Sequence, residues 1–380
     1  MANHRSAANR SLLVAAALAV ALAAFVAASA GSAASTPANP LKPILAQLKG
    51  LKIKGGFPSN PRDNKLHQLA LQEGGQVNVY TSVSSFVQKP LQNAWKATFP
   101  DITLNVYRAS GEDVSARFLN ESTAGTKGAD VVETDGSTML ILQHKKNLLV
   151  PYRQSPYEAQ IPKKYQFDDF TADRLDRFVV AWNTNLVKNP PKSFQDLADP
   201  SWKGKLALEP TDSDWFAQLD NYFTTQAKPR MTQAAFDAMF KKIAANAQLI
   251  PGHSTEASAL AAGQVQVVVN GHSQSLEQLM ASGAPIAFGP PFVTPVVERP
   301  QGIGIPVLAP HPAAALLFDD WLLSPVGQKM FQQAGVTAAN PYFGDSKFSS
   351  HPTTVQVDLR PIVANWQSWV KHYQSIVGGA

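Results

Sequence analysis

The sequence predicts an α/β fold of two units, each a mostly parallel sheet flanked by helices, with strands crossing between the units. Three observations predict it. Short apolar strands alternate with amphipathic helices from Val77 to Val150, which is the grammar of parallel βαβ units. The same grammar restarts at Arg177. The chain has 380 residues and no cysteine, a length that supports two medium-sized cores without disulfides.

The elements follow in order. Met1 to Arg10 is polar and basic, Ser11 to Ala28 is rich in Ala, Leu and Val, and Ala28-Ser29-Ala30 supplies small residues. That layout reads as a cleaved secretory signal over residues 1–30. An uncleaved anchor is the other reading of so long an apolar run. The Ala-rich composition and the cleavage site favour cleavage, and no Cys follows to carry a lipid. Residues 31–62 read as a basic linker or extension, with a short helix at Leu41 to Leu48 inside a solvated tether. Residues 1–62 hold seven basic residues and no acid, so the net +5 of the whole chain becomes −2 over residues 63–380. The body is not basic, and nucleic-acid binding loses its main support.

A helix over Lys65 to Glu73 starts at Asp63 or Asn64 and stops at Gly74-Gly75. Strands at Val77–Tyr80, Ile102–Val106 and Ala129–Val132 alternate with helices at Ser84–Thr98 and after Ser110, and a helix over Thr138–Lys146 follows. In the second unit, strands at Arg177–Trp182, Lys205–Glu209 and Gln264–Val269 surround helices at Ser213–Thr224 and Thr232–Ala247. Gly289 to Pro300 is Pro-rich and returns the chain to the first unit. Helices at Pro312–Leu323, Pro325–Gln333 and Leu359–Ile376 end the protein. The expected lobes are residues 63–176 with about 297–345, and residues 177–296, with 346–380 packing on both.

Gly271-His272-Ser273-Gln274-Ser275 follows a strand and stands one residue short of the G-x-S-x-G elbow. The alternative function it suggests is a secreted serine hydrolase with Ser273 as nucleophile. Asp319, Asp320, Asp345 or Asp358 and His311, His351 or His372 would complete the triad. The eight histidines are scattered without an H-x-x-x-H pair, so no metal site is expected. Gly302-Ile303-Gly304-Ile305 is too short a pattern for a cofactor loop, and no cofactor is expected.

Polar residues gather where strands end. Tyr80 to Ser84, Arg108 to Gly111, Glu133 to Gly136, Glu209 to Trp215 and Asn270 to Ser273 all do so. In open α/β sheets ligands sit beyond the carboxyl ends of the strands. Ser110, Ser213 and Ser273 could each serve only as helix caps. Five such ends together favour a site for a small polar molecule.

These residues resemble the iron(III)-transport-like branch of the bacterial periplasmic solute-binding proteins. Val77-Asn78-Val79-Tyr80-Thr81-Ser82, Ala129-Asp130-Val131-Val132, Asn147-Leu148-Leu149-Val150-Pro151 and Val180 to Leu186 carry the resemblance. So do Leu197 to Lys205 and Phe318 to Gln328, and the likeness spans roughly residues 66–345 in order. It implies a two-lobe type 2 periplasmic binding fold that closes on a ligand by hinge bending and delivers it to an ABC permease. Iron-binding members place a His after the first strand, a Glu after the third and a Tyr pair after the Gly-x-Val strand. The matching positions here carry Ser84, Asp135 and His272-Ser273-Gln274, so ferric ion is not expected. Asp212 and Asp214 beside Trp215 favour a cationic or polyhydroxylated solute over an anion.

The expected ligand contacts are Ser82, Ser84 and Asp135 from lobe one, and Thr211, Asp212, Trp215, Asn270, His272 and Ser273 from lobe two. Trp215 would offer a stacking face. The expected protein is a periplasmic, monomeric, non-enzymatic binding protein whose partners are a small polar solute and a membrane permease.

Overall fold

Strand pairing explains how two units share one sheet. The computed structural model describes residues 39–144, 148–151, 155–343, 352–355 and 358–378. The expected leader and most of the small-residue linker lie outside these residues. The strands are β1 (Gln76–Thr81), β2 (Thr103–Arg108), β3 (Val131–Asp135), β4 (Thr171–Asn183), β5 (Leu206–Leu208) and β6 (Ala247–Leu249). They continue with β7 (Val267–His272), β8 (Ile286–Ala287), β9 (Val296–Gly304), β10 (Thr337–Ala338) and β11 (Thr354–Val355). Their order is β2-β1-β3-β9-β4-β7-β5-β6, with β8 and β10 on β4 and β11 on β9. Pairing is parallel within β2-β1-β3 and within β7-β5-β6, and antiparallel at β3-β9, β9-β4 and β4-β7. The two parallel ends are the lobes, and the long antiparallel pair β4 and β9 joins them.

Each lobe has an aromatic core. In lobe one, Trp95 packs edge-on to Trp321 with ring centroids 5.3 Å apart, and its indole N–H donates to the Ile102 carbonyl at 3.0 Å. In lobe two, Phe194, Trp215 and Phe240 pack together with Phe216 and Phe236. Among the described residues, no helix is long and apolar enough to cross a membrane.

Three sequence expectations change here. Leu41 to Arg62 is no free tether: Leu41, Ile44 and Leu48 are buried in the lobe-one core, and Arg62 pairs with Asp63 and Asp320. An amphipathic helix of seven residues (Lys42–Leu48) gains its stability from that packing. The next helix begins earlier than expected, at Pro61, where Asn60 accepts from the Asp63 N–H at 2.9 Å. The Pro-rich return becomes the central strand β9. Proline argues against a central strand, yet Pro300 pairs with Leu175. Gly302 in β9 is needed because a Cβ there would strike the Phe170 ring.

The C-terminal segment touches both lobes. Helix Leu359–Ala364 packs on Gly136–His144, and helix Trp366–Val377 packs on Ser213–Asn221 and Gln233–Asn246.

Candidate functional site at the hinge strands

Register brings the two lobes' strand ends face to face. On β9 and β4, Arg299 pairs with Asp176, while Asp135 at the end of β3 pairs with Gln301. On the other side, His272 at the end of β7 pairs with Phe178. Side chains alternate along a strand, and register partners share a face. Asp135, Gln301, Arg299, Asp176, Phe178 and His272 therefore form one surface across the hinge.

Arg299 is its centre. Its guanidinium lies 4.7 Å over the Phe178 ring centroid. It stands 3.4 Å from Asp214, 3.5 Å from Asp212 and 3.9 Å from Asp176, and one NH₂ donates to His272 Nε2 at 3.2 Å. Burial raises the Asp176 and Asp214 carboxyls above their ordinary value, and Arg299 opposes that shift. His272 goes the other way. Burial, with the positive charges of His253, Arg299 and Arg174, pushes it well below its ordinary value. A neutral ring that accepts at Nε2 carries its proton on Nδ1, which faces Asp176 Oδ2 at 3.9 Å.

Next to this surface, through Gln301, lies a second charged group. Fully buried Arg174 pairs with Glu133 of β3 and with Asp173, and Thr81 of β1 donates to Glu133. Several buried polar atoms at the hinge have no hydrogen-bond partner among the described residues: Arg299 Nε, Asp176 Oδ1 and Gln301 Nε2. Buried polar atoms are normally satisfied, so an unsatisfied group in a cleft invites a ligand.

The lobe-two wall is the loop after β5. Glu209 Oε2 accepts from the N–H and hydroxyl of Thr211 at 2.8 and 2.7 Å. Asn270 donates to Asp212 Oδ2 at 2.7 Å. His253 stacks on His272 with centroids 3.4 Å apart and its Nε2 lies 3.3 Å from Asp212. Burial disfavours the charged His253 ring, but Asp212, Glu256 and Glu209 hold it well above its ordinary value. Burial and the neighbouring Asp212 push Glu209 up to about 7. Between pH 4.5 and about 7 the folded protein thus holds a proton on Glu209 that the unfolded chain has released. Stability contributed by this group falls as pH rises through that window. Glu209→Gln is expected to remove that slope; parallel urea-midpoint profiles for the two proteins from pH 4.5 to 7 would refute it.

The lobes also touch directly. Gln274 Nε2 donates to Ser84 Oγ at 3.2 Å, and Ser137 Oγ donates to Asp214 at 2.7 Å. Gly111 lies against Asp135: a Cβ there would stand 2.7 Å from Asp135 Oδ2.

Of the residues named from sequence, Asp135, Asp212 and His272 ring Arg299, and Ser84 meets the opposite lobe. Ser82 is half-buried, its N–H donating to the Glu133 carbonyl at 3.0 Å, and Thr211 holds Glu209. Asn270 is wholly buried and positions Asp212. Ser273 is the first residue of its helix and is buried, whereas Ser110 is a true cap. The stacking role expected of Trp215 does not fit its placement. Its indole is 1% exposed and packed against Phe178, Phe194 and Phe240.

The hydrolase triad finds no support in the placement of its candidates. His311 bonds Asp130, His372 bonds Asp237, Asp320 pairs with Arg62, and Asp358 caps Leu359–Ala364. His351 and Asp345 lie outside the described residues. Sequence reasoning missed Arg299, Asp176 and His253. Only the adjoining Pro300, Gly252 and strand-like Arg177–Trp182 run gave a local signal, and each pointed elsewhere. It also read the histidines as scattered, whereas folding brings His253 to Glu209 and Asp212, with ligand atoms within 4.8 Å of one another.

Comparison with known proteins follows this geometry. Iron-bound HitA from Pseudomonas aeruginosa superposes with a TM-score of 0.64 at 15% identity, covering 79% of this chain and 99% of its own. AfuA from Actinobacillus pleuropneumoniae, with fructose-6-phosphate bound, gives 0.68 at 20% identity, covering 81% and 100%. These likenesses show the fold: the two-lobe type 2 periplasmic binding architecture. An Fe(3+)-binding periplasmic protein of Serratia marcescens is 26% identical over 174 residues, 43% of this chain; the chain spans only about half of that relative (47%). Residues 79–329, more than half of the sequence, match the bacterial extracellular solute-binding proteins, and the chain belongs to that family.

Proposed function

We propose that this protein is the solute-capturing component of an ABC importer. It works in the periplasm after removal of residues 1–30, as a monomer, and hands a small polar solute to a membrane permease. The hinge falls at the Asp176–Arg299 pair, with residues 63–176 and about 297–345 as lobe one and 177–296 as lobe two. Opening at this hinge separates Ser84 from Gln274 and Ser137 from Asp214. A solute that replaces those contacts binds the closed form better, and that difference in affinity drives closure. The affinity itself is the whole mechanism; no bond in the solute changes.

The observation that carries the reading is the unsatisfied, acid-rich surface around Arg299. Asp135, Asp176, Asp212 and Asp214 surround one guanidinium, so the surface disfavours a further anion and suits a cationic or polyhydroxylated solute. The iron-bound relatives argue for ferric ion. Against it, Tyr373, the tyrosine tied into this network, donates to the Glu209 carbonyl at 2.8 Å, and burial holds its phenol protonated. A phenol in that state offers no hard anionic ligand.

A thermal-shift screen tests the proposal, since a ligand specific for the folded state raises Tm by mass action. Diamines, other cationic amines or sugars are expected to raise Tm in a saturable way. Stabilisation by sugar phosphates or ferric citrate alone would overturn the solute class. Hydrolysis of an ester that is lost in Ser273→Ala would overturn the binding function.

A further inference from the structure

The lobe-two wall carries a cluster that shares only Asp212 with the acid-rich surface around Arg299. Glu209, Asp212 and His253 place one carboxylate or imidazole ligand atom each within 4.8 Å of the others. They come from two short stretches whose geometry is set by the fold. Glu209 and Asp212 flank the turn after β5, and His253 opens helix His253–Ala261 just after Gly252, which adopts a positive φ of 87°.

Each donor is already oriented by a neighbour that is not itself a candidate ligand. Thr211 holds Glu209 Oε2, Asn270 holds Asp212 Oδ2, and Arg299 takes up Asp212 Oδ1 at 3.5 Å. The second, independent observation lies behind the imidazole. Glu256 is 0% exposed, and neither of its carboxylate oxygens has a hydrogen-bond partner. Its Oε2 points at His253 Nδ1 from 3.6 Å, and that Nδ1 is unpartnered as well. A buried carboxylate behind a histidine's far nitrogen is the arrangement that turns the other nitrogen's lone pair toward a metal.

We propose that Glu209, Asp212 and His253 form a mononuclear site for a divalent transition-metal ion of the zinc class, with Glu256 as the positioning carboxylate behind His253. One imidazole nitrogen and two carboxylate oxygens are a donor set that zinc accepts, leaving a fourth position open. Zinc stands about 2.0–2.2 Å from such donors. The donors of one ion then lie within about 4.4 Å of one another, so the observed spread closes with small side-chain movements. A site of oxygen donors alone would suit calcium or magnesium; the imidazole shifts the preference toward zinc. The site lies wholly in lobe two and needs neither hinge closure nor the importer reading.

The test is calorimetric titration of the full, chelator-stripped chain with zinc, manganese, calcium and magnesium chlorides. One zinc per chain is expected, with a Kd in the micromolar range or tighter and weaker binding of calcium and magnesium. His253→Gln should weaken zinc at least tenfold. Glu256→Gln, which keeps every ligand, should weaken it about tenfold or more. His372→Gln, in the partly buried Asp220–Asp237–His372 cluster, should leave it unchanged. No saturable zinc binding, a preference for calcium, or loss only in His372→Gln would each overturn the assignment. If His253→Gln does not fold, as judged by circular dichroism, the Glu256→Gln titration decides. The solute screen is a separate readout, so zinc binding without any stabilising solute, or the reverse, shows which of the two proposals has failed.

Discussion

Arg299→Met lowers the unfolding free energy by an expected 3–5 kcal/mol or so, the range seen when one partner of a buried charge group is removed. The guanidinium side chain is 11% exposed and serves Asp176, Asp212 and Asp214 together, so its loss takes from three buried carboxylates the cation they share. Methionine fills a similar volume, which isolates the charge from the packing. The sign of the pH dependence follows. Without Arg299 the Asp176 and Asp214 carboxyls, already raised by burial, sit still further above their unfolded pKa values, and an acid raised in the folded state costs stability only above its unfolded value. The deficit should therefore be greatest near pH 7 and shrink as pH falls toward 4. Arg299→Lys restores the charge without the planar fork and should recover only part of the loss. Urea unfolding of the three proteins at pH 7 and pH 4.5 checks this. A deficit below about 1 kcal/mol, or one that grows in acid, would show that Arg299 is not what balances these carboxylates.

Trp215→Ala should cost about 3–5 kcal/mol, the range for deleting a large aromatic side chain from a packed core. Its ring lies among Phe178, Phe194 and Phe240 in lobe two, and the helix that carries it is buried on every residue from Ser213 to Asp220. Trp215→Phe keeps an aromatic in place and should lose much less. The pair of variants separates packing from recognition. If the indole only packs, Trp215→Phe binds the stabilising solute with unchanged affinity. A folded Trp215→Phe protein with tenfold weaker binding would restore the stacking role.

That residue shows where local reading misleads. Trp215 stands beside Asp212 and Asp214 in sequence, and both carboxylates do reach the hinge. A surface helix has one apolar face, and its period says which side is out. A helix buried all round gives no such signal. Nearness in sequence to the cleft acids thus carried no information about where the indole points. Leu41 to Arg62 erred in the opposite direction. Its lysines and glycines read as a solvated tether, yet Leu41, Ile44 and Leu48 recur at helical spacing and dock on lobe one.

The alternating elements were legible because period-two strands and amphipathic helices are written locally. Ser110 capping its helix, the strand through Tyr80, and the gathering of polar residues at strand ends needed nothing beyond neighbours in sequence. Resemblance across residues 66–345 then pointed to the family to which residues 79–329 belong.

The sequence by itself thus determined the α/β class, the two-lobe architecture and the residues at the ends of the parallel strands. Only the tertiary structure decided what stands between those ends. Arg299 and Asp176 meet because β9 and β4 pair antiparallel across 123 residues of chain, and His253 reaches Asp212 through the turn after β6. Strand pairing over such separations is set by the packing of whole lobes. No local pattern encodes the register that makes an arginine in a Pro-rich segment the electrostatic centre of the hinge.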